Sequence, residues 1–199
     1  MKPYPCCRSA HCAIDGMLQI REQMETRLGL KIRNMSEAEI LAEQIQAIEI
    51  DTYLVGYKQC AVSDGCLHPK TVLDAKFSTP YSAAAAFLYG TVGMEQFEPE
   101  VVFDPAVQNL LERVAVRPAD RFTGQYPKHW GCHVKVTMQD GAVYESEVED
   151  PSGSVARPLS REQAMKKAEE FLSVVCPGRE QKTIEELLNL ESREQLPII

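Results

Sequence analysis

A chain of 199 residues, 44% hydrophobic and 25% charged, has the length of one domain and can bury a proper core. Its formal net charge of −8 argues against a general nucleic-acid or acidic-membrane binder, because phosphate binding needs a basic face. No apolar run approaches the roughly 18–20 residues of a membrane span, and the start Met1–Arg8 lacks the apolar core of a secretory signal, so a cytoplasmic protein is expected.

In chain order, Ala10, Ala13, Ile14, Met17, Leu18, Met24 and Leu28 follow helical spacing, with Ser9 as the expected N-cap and Gly29 as the stop. Ser36 and Glu39 read as the capping box of a second helix. Ile48, Ile50, Thr52 and Leu54 alternate with polar residues as in a half-buried strand. Residues 56–74 read as loop, with turn signals at Ser63-Asp64-Gly65 and His68-Pro69. Ser78 or Thr79 then caps an alanine-rich helix ending at Gly90, and Asp104-Pro105 opens another.

Val114–Val116 is a short strand. Val134, Val136 and Met138 share a face, and Asp140-Gly141 turns the chain into a partner strand on which Tyr144, Ser146 and Val148 share one. Ser160 and Gln163 cap a helix using Ala164, Ala168, Phe171 and Leu172; Pro177-Gly178 breaks it, and Thr183 with Glu186 caps a last short helix. This order predicts an α+β fold, helices packed on a small, mostly antiparallel sheet. The expected division is a domain over residues 1–176 and a helical extension over 177–199.

The charge is unevenly spread. Residues 1–33 carry six basic side chains against three acidic ones, which suits a small anionic ligand; a solvated basic helix face is the alternative. Seven cysteines with no Cys-x-x-Cys pair read as reduced thiols. Cys6, Cys7 and Cys12 with His11 match no common zinc or iron–sulfur spacing, so no metal site is expected, and a thiol-based site there is a minor reading.

Two segments can carry chemistry. Lys2–Asp15 is a stiff, proline-rich approach to a helix start, where backbone N–H groups, Lys2, Arg8 and His11 would together hold a carboxylate. A capped surface helix with incidental cations is the plainer alternative. In Asp74–Ala85, Tyr81 would serve as proton donor or acceptor if nearby Lys76 lowered its pKa; a tyrosine capping the core is the alternative. His129 and His133 read as structural, whereas His68 lies in the loop before Lys76.

These segments resemble the MmgE/PrpD family. Lys2–Asp15 is similar to its Lys-x-x-Pro-x-Cys-Arg-x-x-His-x-x-Ile-Asp motif, and Asp74–Ala84 to its Asp/Glu-Ala-Lys-Phe-Ser-x-Pro-Tyr motif. The likeness continues through Phe97, Asp104-Pro105, the Asp140-Gly141 hairpin, Glu149-Asp150-Pro151, Gly153 and Pro158-Leu159-Ser160, covering residues 2–172. It implies the C-terminal domain of a cofactor-independent lyase or epimerase acting on small polycarboxylates, such as 2-methylcitrate dehydratase of propionate metabolism, cis-aconitate decarboxylase or iminodisuccinate epimerase. By resemblance Lys2, Tyr81 and His11 are the catalytic candidates, and Arg8, Lys76 and Cys7 the substrate-binding ones. Cys7 stands where some members, including the decarboxylase, have a histidine. The resemblance further implies a helical N-terminal domain that completes the cleft, without which the chain should be nearly inactive, and a homodimer or larger homo-oligomer is expected. A non-catalytic polycarboxylate-binding or assembly subunit is the competing expectation.

Overall fold

The computed structural model describes residues 1–192. Among the described residues the chain divides into two compact units, residues 2–152 and Met1 with residues 153–192.

In the larger unit a 3-10 turn, Arg8–Ala10, runs into α1 (His11–Leu28), which stops at Gly29 with φ 65°. Glycine reaches that left-handed conformation without the steric cost of a Cβ. The expected cap is displaced. Ser9 is buried inside the turn, where its hydroxyl donates to Gln59 Oε1 (2.8 Å) and accepts from the Tyr53 hydroxyl (2.9 Å), and Ala10 takes the N-cap position. Helix α2 (Met35–Glu43) likewise starts earlier than read: Asn34, not Ser36, is the N-cap, its side chain accepting from Glu37 N–H.

Strand β1 (Ile45–Thr52) follows, then three short helices where a loop is predicted: α3 (Leu54–Cys60), α4 (Asp64–Leu67) and α5 (Val72–Lys76). Helices of one or two turns carry too little periodicity to be seen in sequence; the caps Ser63 and Thr71 are the local marks of α4 and α5. Helix α6 (Thr79–Tyr89) is capped by Ser78 as expected and ends at Gly90. After it come α7 (Pro99–Val102), α8 (Pro105–Leu111), β2 (Val114–Pro118), α9 (Asp120–Thr123), β3 (Cys132–Met138) and β4 (Val143–Val148).

The four strands form one mixed sheet in the order β2-β1-β3-β4. β1 pairs parallel with β2 and antiparallel with β3, and β3 pairs antiparallel with β4. The sheet is therefore mostly antiparallel, and the α+β expectation holds. One face is buried: Ile45, Ile48 and Ile50 of β1, Val134 and Val136 of β3, and Tyr144 and Ser146 of β4. Ile45 and Ile48 lie three residues apart yet share that face, because the register shifts between Ile45 and Ala47. α1 lies across β3 and β4, and the small side chains Ala83–Ala86 of α6 let it pack closely on α1 and α8. The other face is laced with charges, Arg117 with Glu49 and Asp51, and Lys135 with Glu49. That is the pattern of a sheet with one wet side.

In the smaller unit α10 (Arg161–Val175) has the expected Ser160–Gln163 capping box and α11 (Glu180–Leu188) follows the Pro177-Gly178 break. Thr183 does not cap α11. It lies buried within it, and Arg179 is the N-cap. None of the expected apolar positions of α10 is buried. Among the described residues no helix is long and apolar enough to cross a membrane.

Candidate functional site

The opening segment and α5 meet in space. Cys7 N–H donates to the Lys76 carbonyl at 2.8 Å. Lys2 Nζ donates to the Cys6 carbonyl at 3.3 Å, and His11 Nε2 lies 3.4 Å from the same oxygen. Both Lys2 and Lys76 exert their positive charge on Cys6. Lys2, Cys6, Cys7 and Lys76 thus form one neighbourhood although α5 lies far along the chain.

The other candidates take different positions. Arg8 is half-buried with its guanidinium 5.9 Å from the Trp130 ring centroid, beside the aromatic group of Tyr53, Tyr126 and Trp130. Cation–π contact of this kind orients a guanidinium. His11 is fully buried in the first turn of α1, with the Tyr4 ring edge-on at 5.1 Å. Tyr81 is fully buried as well, and its hydroxyl donates to the Gln96 carbonyl. Its ring packs 5.7 Å from Phe97, and Lys76 Nζ sits 5.7 Å from that same ring.

The condition set for Tyr81 as an acid–base group is not met in this chain. Burial pushes its pKa up, not down, and the positive charge of Lys76 is not among the influences on it. His68 pairs with Glu112 at 3.2 Å and does not join the Lys2–Lys76 group.

The cysteines show what spacing could not. Cys7 shares a side-chain hydrogen bond with Cys60 at the end of α3, and this bond chiefly lowers its pKa to about 6. Burial opposes the shift; the N–H and hydroxyl of Ser9 and the charge of Lys2 add to it. Burial pushes Cys6 up to about 12. Alkylation of Cys7 by iodoacetamide should therefore rise with pH through a midpoint near 6, against roughly 8.5 for an ordinary thiol. Peptide-resolved alkylation from pH 5 to 9 checks this. The sign for stability is that of a depressed pKa: the contribution is whole above the unfolded value and is lost as pH falls through about 6.

Other features stand apart. An open cleft of about 880 Å³ between α1 and α2 is lined by Glu25, Leu30, Ile32, Ile40 and Leu41 among others, and by none of the candidates. His129, Glu149 and Asp150 bring possible ligand atoms within 4.8 Å of one another, but a 2.7 Å hydrogen bond between His129 Nδ1 and Asp150 accounts for the two inner members.

Comparison with known proteins agrees with this architecture. The model of the MmgE/PrpD C-terminal domain matches residues 4–191. The cis-aconitate decarboxylase-like protein oryM of Aspergillus oryzae is 28% identical over 126 residues, 62% of this chain and 26% of its own length. The cis-aconitate decarboxylase of Mus musculus is 26% identical over 136 residues, 66% of this chain and 27% of its own. The chain thus spans about a quarter of the length of the curated relatives it matches. With the family model covering nearly the whole chain, and an α+β fold joining the two motifs, the chain belongs to the MmgE/PrpD family as its C-terminal domain.

Proposed function

We propose that this domain supplies the cationic side of a polycarboxylate site in a lyase or epimerase that moves a proton at a carbon next to a carboxylate. The observation that carries the reading is the meeting of Lys2 with Lys76 around Cys6 and Cys7, with the half-buried Arg8 beside them in sequence. Two ammonium groups and a guanidinium match a substrate bearing two or three carboxylates, and they stabilise the enolate-like charge that forms on proton removal. Lys2 is the group that exchanges a proton in this reading, and Arg8 and Lys76 hold carboxylates; Cys7 borders them with its N–H bonded to the Lys76 carbonyl and binds no carboxylate itself. His11 and Tyr81 act from behind, fixing the Cys6 carbonyl and the Phe97 loop against which the cations rest.

A helical domain covering this face completes the cleft in this reading. Large exposed apolar side chains on neighbouring elements support it: Leu67, Leu73, Phe77, Met94 and Phe103. A cytoplasmic homodimer is the expected form. The second reading is a polycarboxylate-binding or assembly subunit without turnover, favoured by the burial of both His11 and Tyr81.

Citrate titration of this chain by calorimetry tests the cationic site first. Arg8→Ala is expected to weaken binding about 10–100-fold, the equivalent of one charge-assisted contact of roughly 1.5–3 kcal/mol. Turnover of 2-methylcitrate, cis-aconitate or iminodisuccinate by a complex with the helical domain, abolished by Lys2→Ala, would support the lyase or epimerase. Citrate binding with all three substrates left intact by that complex would support the second reading. Citrate affinity indifferent to both Lys2→Ala and Arg8→Ala would overturn the site.

A further inference from the structure

Lys2 is exposed, and an exposed lysine on a loose segment would be spread over many positions. The segment that carries it is not loose. Tyr4, two residues on, is half-buried and lies along the first turns of α1. Its hydroxyl donates to Asp15 Oδ1 at 2.5 Å, and its ring meets His11 edge-on at 5.1 Å. His11 and Asp15 are four residues apart in α1, so both lie on the one helix face that Tyr4 covers.

Asp15 is a firm end for this bond. It is only 4% exposed, and its second oxygen accepts from Ser152 N–H at 2.7 Å, in the loop that follows β4. One carboxylate thus joins the opening segment, α1 and the end of the sheet. Hydrogen bonds from a hydroxyl to a carboxylate are short and about twice as strong as neutral ones, and 2.5 Å falls in their range. Pro3 and Pro5 flank Tyr4, each fixing a backbone angle, so an anchored Tyr4 also restrains Lys2. Further on, Cys7 N–H ties the same segment to the Lys76 carbonyl. Between these two ties stands the Cys6 carbonyl, to which Lys2 Nζ donates at 3.3 Å.

We propose that Tyr4 and Asp15 are positioning residues for the cationic site: their hydrogen bond holds the opening segment so that Lys2 stands at the Cys6 carbonyl before a polycarboxylate arrives. Neither residue touches the ligand; both act through Lys2. The inference rests on the polycarboxylate reading and adds to it the contact that sets the site's geometry in advance. The reason is entropic. A side chain already ordered by the fold does not have to be ordered by the ligand, and each one left loose weakens binding.

The test uses the full 199-residue chain with citrate as the probe. Calorimetry gives the citrate affinity of the parent chain, Tyr4→Phe, Lys2→Ala and the double variant, and NMR relaxation gives the order of the Lys2 amide. Tyr4→Phe keeps the ring on His11 and removes only the hydroxyl. It should bind citrate about 3–10-fold more weakly, with the Lys2 order parameter falling from about 0.85 to below about 0.6. Asp15→Asn should act in the same direction. In the Lys2→Ala background Tyr4→Phe should change nothing further, because a positioning group has no effect once the group it positions is gone. Citrate binding that needs Lys2 but ignores Tyr4→Phe, or an equal loss with and without Lys2, overturns the inference and leaves the polycarboxylate reading intact. A parent chain that binds no citrate overturns that reading instead. The Lys2 amide then decides by itself whether the bond holds the segment, and an order parameter below about 0.6 in the parent chain overturns the inference whatever the variants do.

Discussion

Replacing Arg21 with methionine is expected to cost about 3–5 kcal/mol of folding stability, enough to unfold much of a marginally stable domain. Arg21 lies in the middle of α1 and is buried, with burial lowering its pKa. Its Nη1 donates to the carbonyls of Phe87 and Leu88, the latter at 3.1 Å, and Nη2 donates to the Ile32 carbonyl at 3.2 Å. Phe87 and Leu88 stand in the last turn of α6, where carbonyls lack intrahelical donors and a positive charge is favoured. One guanidinium therefore closes the end of α6 and pins the strap between α1 and α2. Methionine fills similar space but leaves three buried acceptors without this donor. Urea unfolding followed by circular dichroism measures the loss. Arg21→Lys should fall between, because a point charge cannot serve acceptors on two sides as a planar fork can. A loss below about 1 kcal/mol for methionine would mean that water enters and solvates those carbonyls.

Gly16→Val should be the second large effect, about 2–3 kcal/mol destabilising. At Gly16 α1 lies close against the sheet, and a Cβ there would lie 2.7 Å from Val134 Cγ2. Val134 is fully buried on a strand paired on both sides, so it has little room to retreat. The gain in helix propensity on removing a mid-helix glycine, at most about 1 kcal/mol, offsets only part of the overlap. Gly29→Ala separates space from backbone strain, since it meets nothing within 4 Å but needs φ 65°. It should cost about 1–2 kcal/mol from conformation alone. Thermal unfolding of the three chains compares the two costs directly. Equal stability of Gly16→Val and the parent chain would show that α1 can lift from the sheet without penalty.

Much of the candidate site was readable because its two motifs keep their residues close in sequence. The cations of Lys2–Arg8 and the Lys76–Tyr81 stretch were visible as loops running into helices. What those loops do in space was not. Tyr81 and His11 carry polar groups, which sequence reading places near solvent, yet packing of α6 and α1 encloses both. Cys60 bore no mark at all. It lies in a stretch read as loop, and only the short helix α3 brings its sulfur to Cys7.

Local physics was enough wherever an element's cause lies within a few residues. The Ser78 cap, the Ser160–Gln163 box, the Gly29 stop and the Asp140-Gly141 hairpin are each set by neighbouring side chains and backbone, so the amino-acid order alone determined them. Alternation likewise determined which residues of β3 and β4 face inward. Tertiary structure decided the rest. Ser9 left its capping position because Gln59 and Tyr53 offered partners inside the fold, and Ile45 joins the inward face that alternation gave to Ile48, Ile50 and Thr52 only through the register shift between Ile45 and Ala47. The meeting of Lys2 with Lys76, and of Cys7 with Cys60, depends on which helix faces are buried together, a property of the packed chain that no local spacing encodes.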